Sequence, residues 1–375
     1  MLQKSFFTAT YQNTQVQVCG QWFDAGSFAV SLLNRFYDND LAARLGVMRM
    51  NNDFLIRDLQ MGYLNQTLFY RAGEEYQYIL KTLPRLEPFN LLDLESERQR
   101  LAQLFSQDSF DFIQKYLRAK ARNASVSIDE QALDFVPEQD TELFQKGETM
   151  IAQIRQADRL YHSIAEDMRV CFQDLRTFVA GEEEADRLDE SCLLPMALEA
   201  LGTPEIPTGV RYIQTQKPNS EEAVVGREMT FDSYKSFILT DFFEGLHYGH
   251  YPRQCEVCGK YFLMKSARWQ YYCDGWSGHL IRGHRVSCRQ YGEWERSKEY
   301  ATENPIKDRC TRRCGCIRAE KSRGLISAEF AEKAKILAQR RRDKATRDPD
   351  YAMTDYETEM TKDRLYADVK RGCEE

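Results

Sequence analysis

The stretch Arg253–Ser277, RQCEVCGKYFLMKSARWQYYCDGWS, constrains this chain more than any other. Cys255 and Cys258 form a C-x-x-C-G turn, Cys273 follows 15 residues after Cys258, and Cys288 lies 15 residues further on. A C-x-x-C turn aims backbone N–H groups at two thiolate sulfurs. The residue behind it often takes a positive φ, which Gly259 adopts without steric cost. Two more ligands complete a four-coordinate structural site, and zinc held by Cys255, Cys258, Cys273 and Cys288 is the simplest account. His279 and His284 lie in the loop before Cys288, and either can take its place as fourth ligand.

Eleven cysteines would indicate disulfides in a short secreted chain, but seven of these sit within the 62 residues from Cys255 to Cys316. In a reducing compartment such clustering points to metal. A redox pair would prefer its C-x-x-C at a helix amino terminus after a strand, which the following KYF does not suggest. A catalytic zinc needs an open position and a general acid or base, and no H-x-E or H-E-x-x-H pattern is present. The expectation is one structural zinc and no enzyme activity. Cys310, Cys314 and Cys316 form a second group; Cys310, Cys314 and Ile317 share one helical face, which reads as core packing, with a second metal left open. His247 and His250 read as cations at a helix carboxyl terminus.

Charge is unevenly distributed. Arg253 to Arg347 hold 23 Lys and Arg against 11 Asp and Glu, a net of +12, within a chain whose net is −7, so the remainder carries −19. An acidic body joined to a basic module suits a protein that meets a polyanion with one end, and equally suits two parts that attract each other. Arg312, Arg313, Arg318, Lys321, Arg323, Arg340, Arg341 and Arg342 fall on basic helical stretches behind the cysteines and are the candidate nucleic-acid contacts. Trp269, Tyr271, Tyr272 and Trp276 supply aromatic surface in the ribbon.

The rest of the chain reads as mainly α. Residues 1–25 alternate weakly, as for a small hairpin, and residues 26–83 and 91–121 show helical periodicity separated by Pro84 and Pro88. Ser127 and Glu130 have capping-box spacing. From Phe144 to Phe178 apolar residues keep a 3.6-residue period, which predicts one helix of about 40 residues, about 60 Å long. A short strand is expected around Val210 to Gln214, closed by a turn at Pro218 and Asn219, and then an amphipathic helix from Phe231 to Leu246. Ser327 is placed to cap the last basic helix, whose narrow apolar face reads as Phe330, Ala334 and Leu337.

CEVCGKYF, YYCD and SCRQYG ahead of basic helices resemble the carboxyl-terminal zinc ribbon of a bacterial family of domains of unknown function, over about residues 230 to 345. That ribbon is similar in turn to the CGNR-type zinc finger, a module generally taken to bind DNA, although SCRQYG stands here where the signature has Cys-Gly-Asn-Arg. The resemblance implies zinc at Cys255, Cys258, Cys273 and Cys288, and a role in DNA binding or regulation.

The expected organisation is therefore an acidic multi-helix domain over 1–225, a zinc ribbon with a leading helix and trailing basic helices over 226–349, and an acidic tail over 350–375. Without a basic-then-apolar leader or a run of about 18 apolar residues, the protein is expected in the cytoplasm. Nucleic acid, DNA first, is the expected partner, with a protein partner possible through the helical domain. The alternative is an interaction adaptor whose zinc ribbon is only a structural clamp.

Overall fold

The apolar period read between Phe144 and Phe178 is one continuous helix, Thr141–Glu182. In this computed structural model, which describes residues 7–37, 40–126, 140–182, 189–203, 209–216, 220, 222–266 and 270–372, it is the spine of the first of two compact units. That unit comprises residues 1–255 and 259–271; the second comprises 256–258 and 272–375. The capping pair Ser127 and Glu130, the turn at Pro218 and Asn219, and Trp269 lie outside the described residues.

In chain order the first unit contains α1 (Ser27–Arg35), α2 (Leu41–Gln60), α3 (Gln66–Thr82), α4 (Glu95–Leu104), α5 (Gln107–Val126), α6 (Thr141–Glu182), α7 (Glu190–Leu201) and α8 (Tyr234–His247). Ile151, Ile154, Tyr161, Met168, Leu175 and Phe178 of α6 are buried against α1, α2, α4, α5, α7 and α8. Their three- and four-residue spacing gives α6 a continuous apolar stripe for these neighbours to cover.

A five-stranded antiparallel sheet accompanies the helices in the order β3 (Gln21–Asp24), β2 (Gln15–Val18), β1 (Phe7–Gln12), β5 (Ala223–Phe231), β4 (Gly209–Gln216). The expected amino-terminal hairpin is thus a three-strand meander, and its first strand pairs with β5, Ala9 opposite Met229 and Tyr11 opposite Arg227. Ala9, Tyr11, Val16, Val18, Met229 and Phe231 face the core, as the two-residue period of a half-buried sheet requires.

Helix α8, expected to open the carboxyl-terminal domain, belongs instead to the first unit. Phe237, Ile238, Phe242 and Leu246 join that unit's hydrophobic core. One face of α8 holds the turn at Ala25–Gly26 that starts α1. The fully buried Asp241 accepts hydrogen bonds from the backbone N–H groups of Gly26 and Phe28 through Oδ2, at 3.1 and 3.2 Å, capping α1 from outside its own sequence. One turn on, a Cβ at Gly245 would stand 2.8 Å from the Ala25 carbonyl oxygen, so only glycine lets the two elements approach. The buried His250 donates from Nδ1 to that carbonyl at 3.2 Å, whereas His247 lies exposed with Nδ1 3.3 Å from Glu190.

The second unit carries the β-hairpin β8 (Trp276–Ile281) and β9 (His284–Ser287), then α9 (Cys288–Glu303), α10 (Pro305–Ser322), α11 (Ala328–Arg347), α12 (Pro349–Thr354), α13 (Tyr356–Glu359) and α14 (Lys362–Arg371). A small hairpin of the first unit, β6 (Tyr251–Gln254) and β7 (Tyr261–Met264), holds the C-x-x-C turn in its loop. The segment expected as an acidic tail is part of a packed core: Tyr351, Tyr356, Met360, Leu365 and Val369 are buried with Ala331, Ala334, Ala338 and Ala345 of α11. No helix among the described residues is long and apolar enough to cross a membrane.

Burial raises the Asp241 carboxyl to about 8, against the two backbone N–H groups that favour its charge. An unfolded aspartate titrates near 4. Between about pH 4 and pH 8 the folded chain therefore keeps a proton that the unfolded chain has released, and stability falls as pH rises across that window. Denaturant unfolding should show this decline in the wild type and a flatter profile in Asp241→Asn, whose amide oxygen still caps α1. Equal pH dependence in the two proteins would remove Asp241 as its source. Gly245→Ala should lower stability by about 1–3 kcal/mol through overpacking.

Candidate metal centre and the basic helices behind it

The knuckle is closed by local backbone bonds. Cys255 N–H donates to the Lys260 carbonyl and Gly259 N–H to that of Cys255, both at 2.9 Å. Gly259 has φ +69°, as the C-x-x-C-G turn requires. On the other side, Ser287 caps α9 in a complete capping box with Gln290, placing Cys288 in the first turn of the helix, where the helix dipole favours a thiolate. Cys288 N–H donates to Gly275 O at 2.8 Å and Arg289 N–H to Cys273 O at 3.2 Å, tying the loop that carries Cys273 to the start of α9.

These elements bring the sulfurs of Cys255, Cys258, Cys273 and Cys288 within 4.8 Å of one another, Cys255 and Cys288 buried and the other two half-buried. The Cys258 and Cys273 sulfurs are 3.7 Å apart. That is far beyond a disulfide, and it matches the edge of about 3.8 Å that a tetrahedron with zinc–sulfur bonds of about 2.3 Å would have. The four cysteines thus form a metal site whose donor set suits zinc. Cys288 is the fourth member. His279 stacks on Tyr291 with ring centroids 4.1 Å apart, and His284 is exposed on β9.

Among the described residues no other group of three or more His, Cys, Asp or Glu side chains converges in this way. Cys310 is buried, its thiol pushed up to about 11 by burial and directed at the Ala338 carbonyl, while Cys314 packs at the core edge and Cys316 is exposed. Near the four sulfurs, Arg289 pairs with Asp274 at 3.2 Å and Arg296 with Glu256 at 3.2 Å.

The candidate nucleic-acid residues separate into two groups. Arg341 is buried, its side chain only 10% exposed; it ion-pairs with Glu359 and Asp368 and donates to the Glu359 carbonyl. The apolar face of α11 is Ala331, Ala334, Ala338 and Ala345, and Arg341 lies in the middle of that stripe rather than on the outer surface. Arg313 donates to the Met360 carbonyl at 2.8 Å, Arg312 pairs with Asp308 at 2.7 Å, and Arg342 pairs with Asp343 at 2.6 Å. Arg318, Lys321, Arg323 and Arg340 are exposed, with no ion pair among the described residues.

The purified protein should contain about one zinc per chain, and Cys255→Ser or Cys273→Ser should lose it, whereas Cys310→Ser should keep it; metal analysis decides. Structural zinc in small domains supplies about 10–16 kcal/mol of binding free energy at neutral pH, so metal removal should also unfold the ribbon, read as lost amide-exchange protection over residues 255–290. Arg341→Ala removes the shared partner of Glu359 and Asp368, which keep the Tyr351 hydroxyl and Arg371 respectively, and should destabilise the second unit by about 1–3 kcal/mol.

No curated protein and no solved structure matches the chain significantly. Residues 203–372, which include all four cysteines and the helices behind them, match the model of DUF6076, a family of unknown function.

Proposed function

We propose that the carboxyl-terminal segment is a zinc-organised nucleic-acid-binding module, with DNA the favoured partner and a regulatory role the use that such a module serves. The observation that carries this reading is the set of exposed cations that make no ion pair among the described residues, Lys321 and Arg323 at the end of α10 and Arg340 on α11, with Arg318, whose Nε donates only to the Cys314 carbonyl of its own helix at 3.3 Å. Cations free of internal ion pairs are the ones that can replace counterions on a phosphate backbone. The likeness of the cysteine ribbon to CGNR-type fingers supports the same direction. The metal's part is structural. Four thiolates fill a tetrahedron and leave no position for a substrate or an activated water, so no catalytic role is assigned to it.

A second reading has its own observation. Arg312, Arg313, Arg341 and Arg342 are engaged by groups of the same unit, so much of the basic charge serves folding. On that reading the protein is an interaction adaptor with a structural zinc clamp. A fluorescence-anisotropy titration of labelled duplex DNA over a range of salt separates the two. Nucleic-acid binding should weaken steeply with salt, and Arg318→Ala or Arg323→Ala should each reduce the slope of log K against log salt by about 0.9 if each contacts a phosphate. No binding at low salt, of the duplex or of its separated strands, would favour the adaptor.

A further inference from the structure

Resting on the nucleic-acid reading and naming the form of its ligand, we propose that β8, β9 and the first turns of α9 form a stacking platform for unpaired bases, so that single-stranded nucleic acid is the preferred substrate. All of these elements lie within the second unit. Trp276 on β8 is 59% exposed, Leu280 on the same strand 61%, and Trp294 on α9 40%. Large apolar side chains this open are candidates for contact with a ligand where other observations supply one.

The rings of His279, Tyr291 and Trp294 form an ordered run, and Trp276 lies on the same strand as His279. His279 stacks nearly parallel on Tyr291, at 4.1 Å and 13°, and Tyr291 leads to Trp294 at 5.8 Å. Cations accompany them: the Arg285 guanidinium sits 5.0 Å from the Trp276 ring centre, and the Lys298 ammonium 4.3 Å from that of Trp294. Each of these tryptophans thus has a cation over one face.

Charge complementarity favours a polyanion over an apolar protein surface as occupant. Residues 276–287, WSGHLIRGHRVS, contain Arg282 and Arg285, with His279 and His284, and no acidic residue. The positive charge is that of the hairpin: α9 itself carries Glu293, Glu295, Glu299 and Glu303 against Arg289, Arg296 and Lys298, and Glu295 accepts the Tyr291 hydroxyl at 2.6 Å. Positive charge interleaved with open ring faces is the chemistry that holds single strands, because bases stack on the rings while cations follow the backbone. A duplex keeps its bases stacked on one another and offers the rings nothing comparable.

The test uses the full-length, zinc-loaded protein with a fluorescein-labelled 20-nucleotide DNA strand of mixed sequence, its duplex, and the RNA strand of the same sequence, all at one moderate salt. The expected result is tighter binding of single strands than of duplex. Trp276→Ala and Trp294→Ala should each weaken single-strand binding about five- to a hundredfold, with duplex binding little changed. Trp294→Phe, which keeps a ring, should retain most of the affinity, and zinc content in each variant checks that the ribbon is intact. Duplex binding with a clear salt slope, but single-strand affinity untouched by either alanine variant, would overturn the platform and leave the nucleic-acid reading standing. No binding of any strand at low salt would overturn both.

Discussion

The convergence of four thiolates is the constraint on which the ribbon depends. The described residues form two hydrophobic clusters, one among α1–α8, the five-stranded sheet and the β6–β7 hairpin and one among α10–α14, and the described residues within 270–304 contribute to neither. Thirty-odd residues with two short strands and a helix have a large chain entropy to overcome and little apolar surface with which to overcome it. A metal bound to Cys255, Cys258, Cys273 and Cys288 supplies the missing free energy at one point. The capping box at Ser287 and the two backbone bonds between the Cys273 loop and α9 then extend that order outward.

The features legible in the sequence were those decided locally. A C-x-x-C-G turn announces both its ligands and the positive φ at Gly259, and the 3.6-residue period of α6 is long enough to outweigh any local ambiguity. The Ser327 cap is likewise a matter of four consecutive residues. Pairing of β1 with β5 joins residues more than 200 positions apart, and nothing within either strand names its partner. The cap on α1 escaped for the same reason: Gly26 has no side chain to offer, and the carboxylate arrives from Asp241 on another helix.

Arg341 shows a different failure, one of emphasis. An RRR run near a helix end reads as a solvated cluster, and the apolar face of α11 is expected at Phe330, Ala334 and Leu337. Those three do pack, Ala334 buried and Phe330 and Leu337 half-buried at the core edge, but the face is a longer stripe that extends to Ala331, Ala338 and Ala345, because alanine is a weak hydrophobic signal whose small side chain lets α10 and α11 approach closely. Arg341 falls on that stripe, and the desolvation it suffers there is offset by Glu359 and Asp368 from the segment that follows. The acidic end of the chain is thus required by the basic helix it covers, and the charge excess of residues 253–347 overstates what is open to a partner.

This division gives the second unit two kinds of positive charge with different consequences. Cations neutralised within the α10–α14 core fix its shape, and their loss is felt as instability whatever the ligand. Those left open lie at the end of α10, on α11 and on the β8–β9 hairpin, and the hairpin ones accompany exposed rings. Cys273 and Cys288 flank that hairpin, and Cys288 opens the helix that carries Tyr291 and Trp294. The same bonds that close the metal site therefore set the position of the rings relative to one another. A change in metal occupancy would reach the ring surface before it reached the α10–α14 core, because that core has apolar packing of its own and the β8–β9 hairpin with α9 does not.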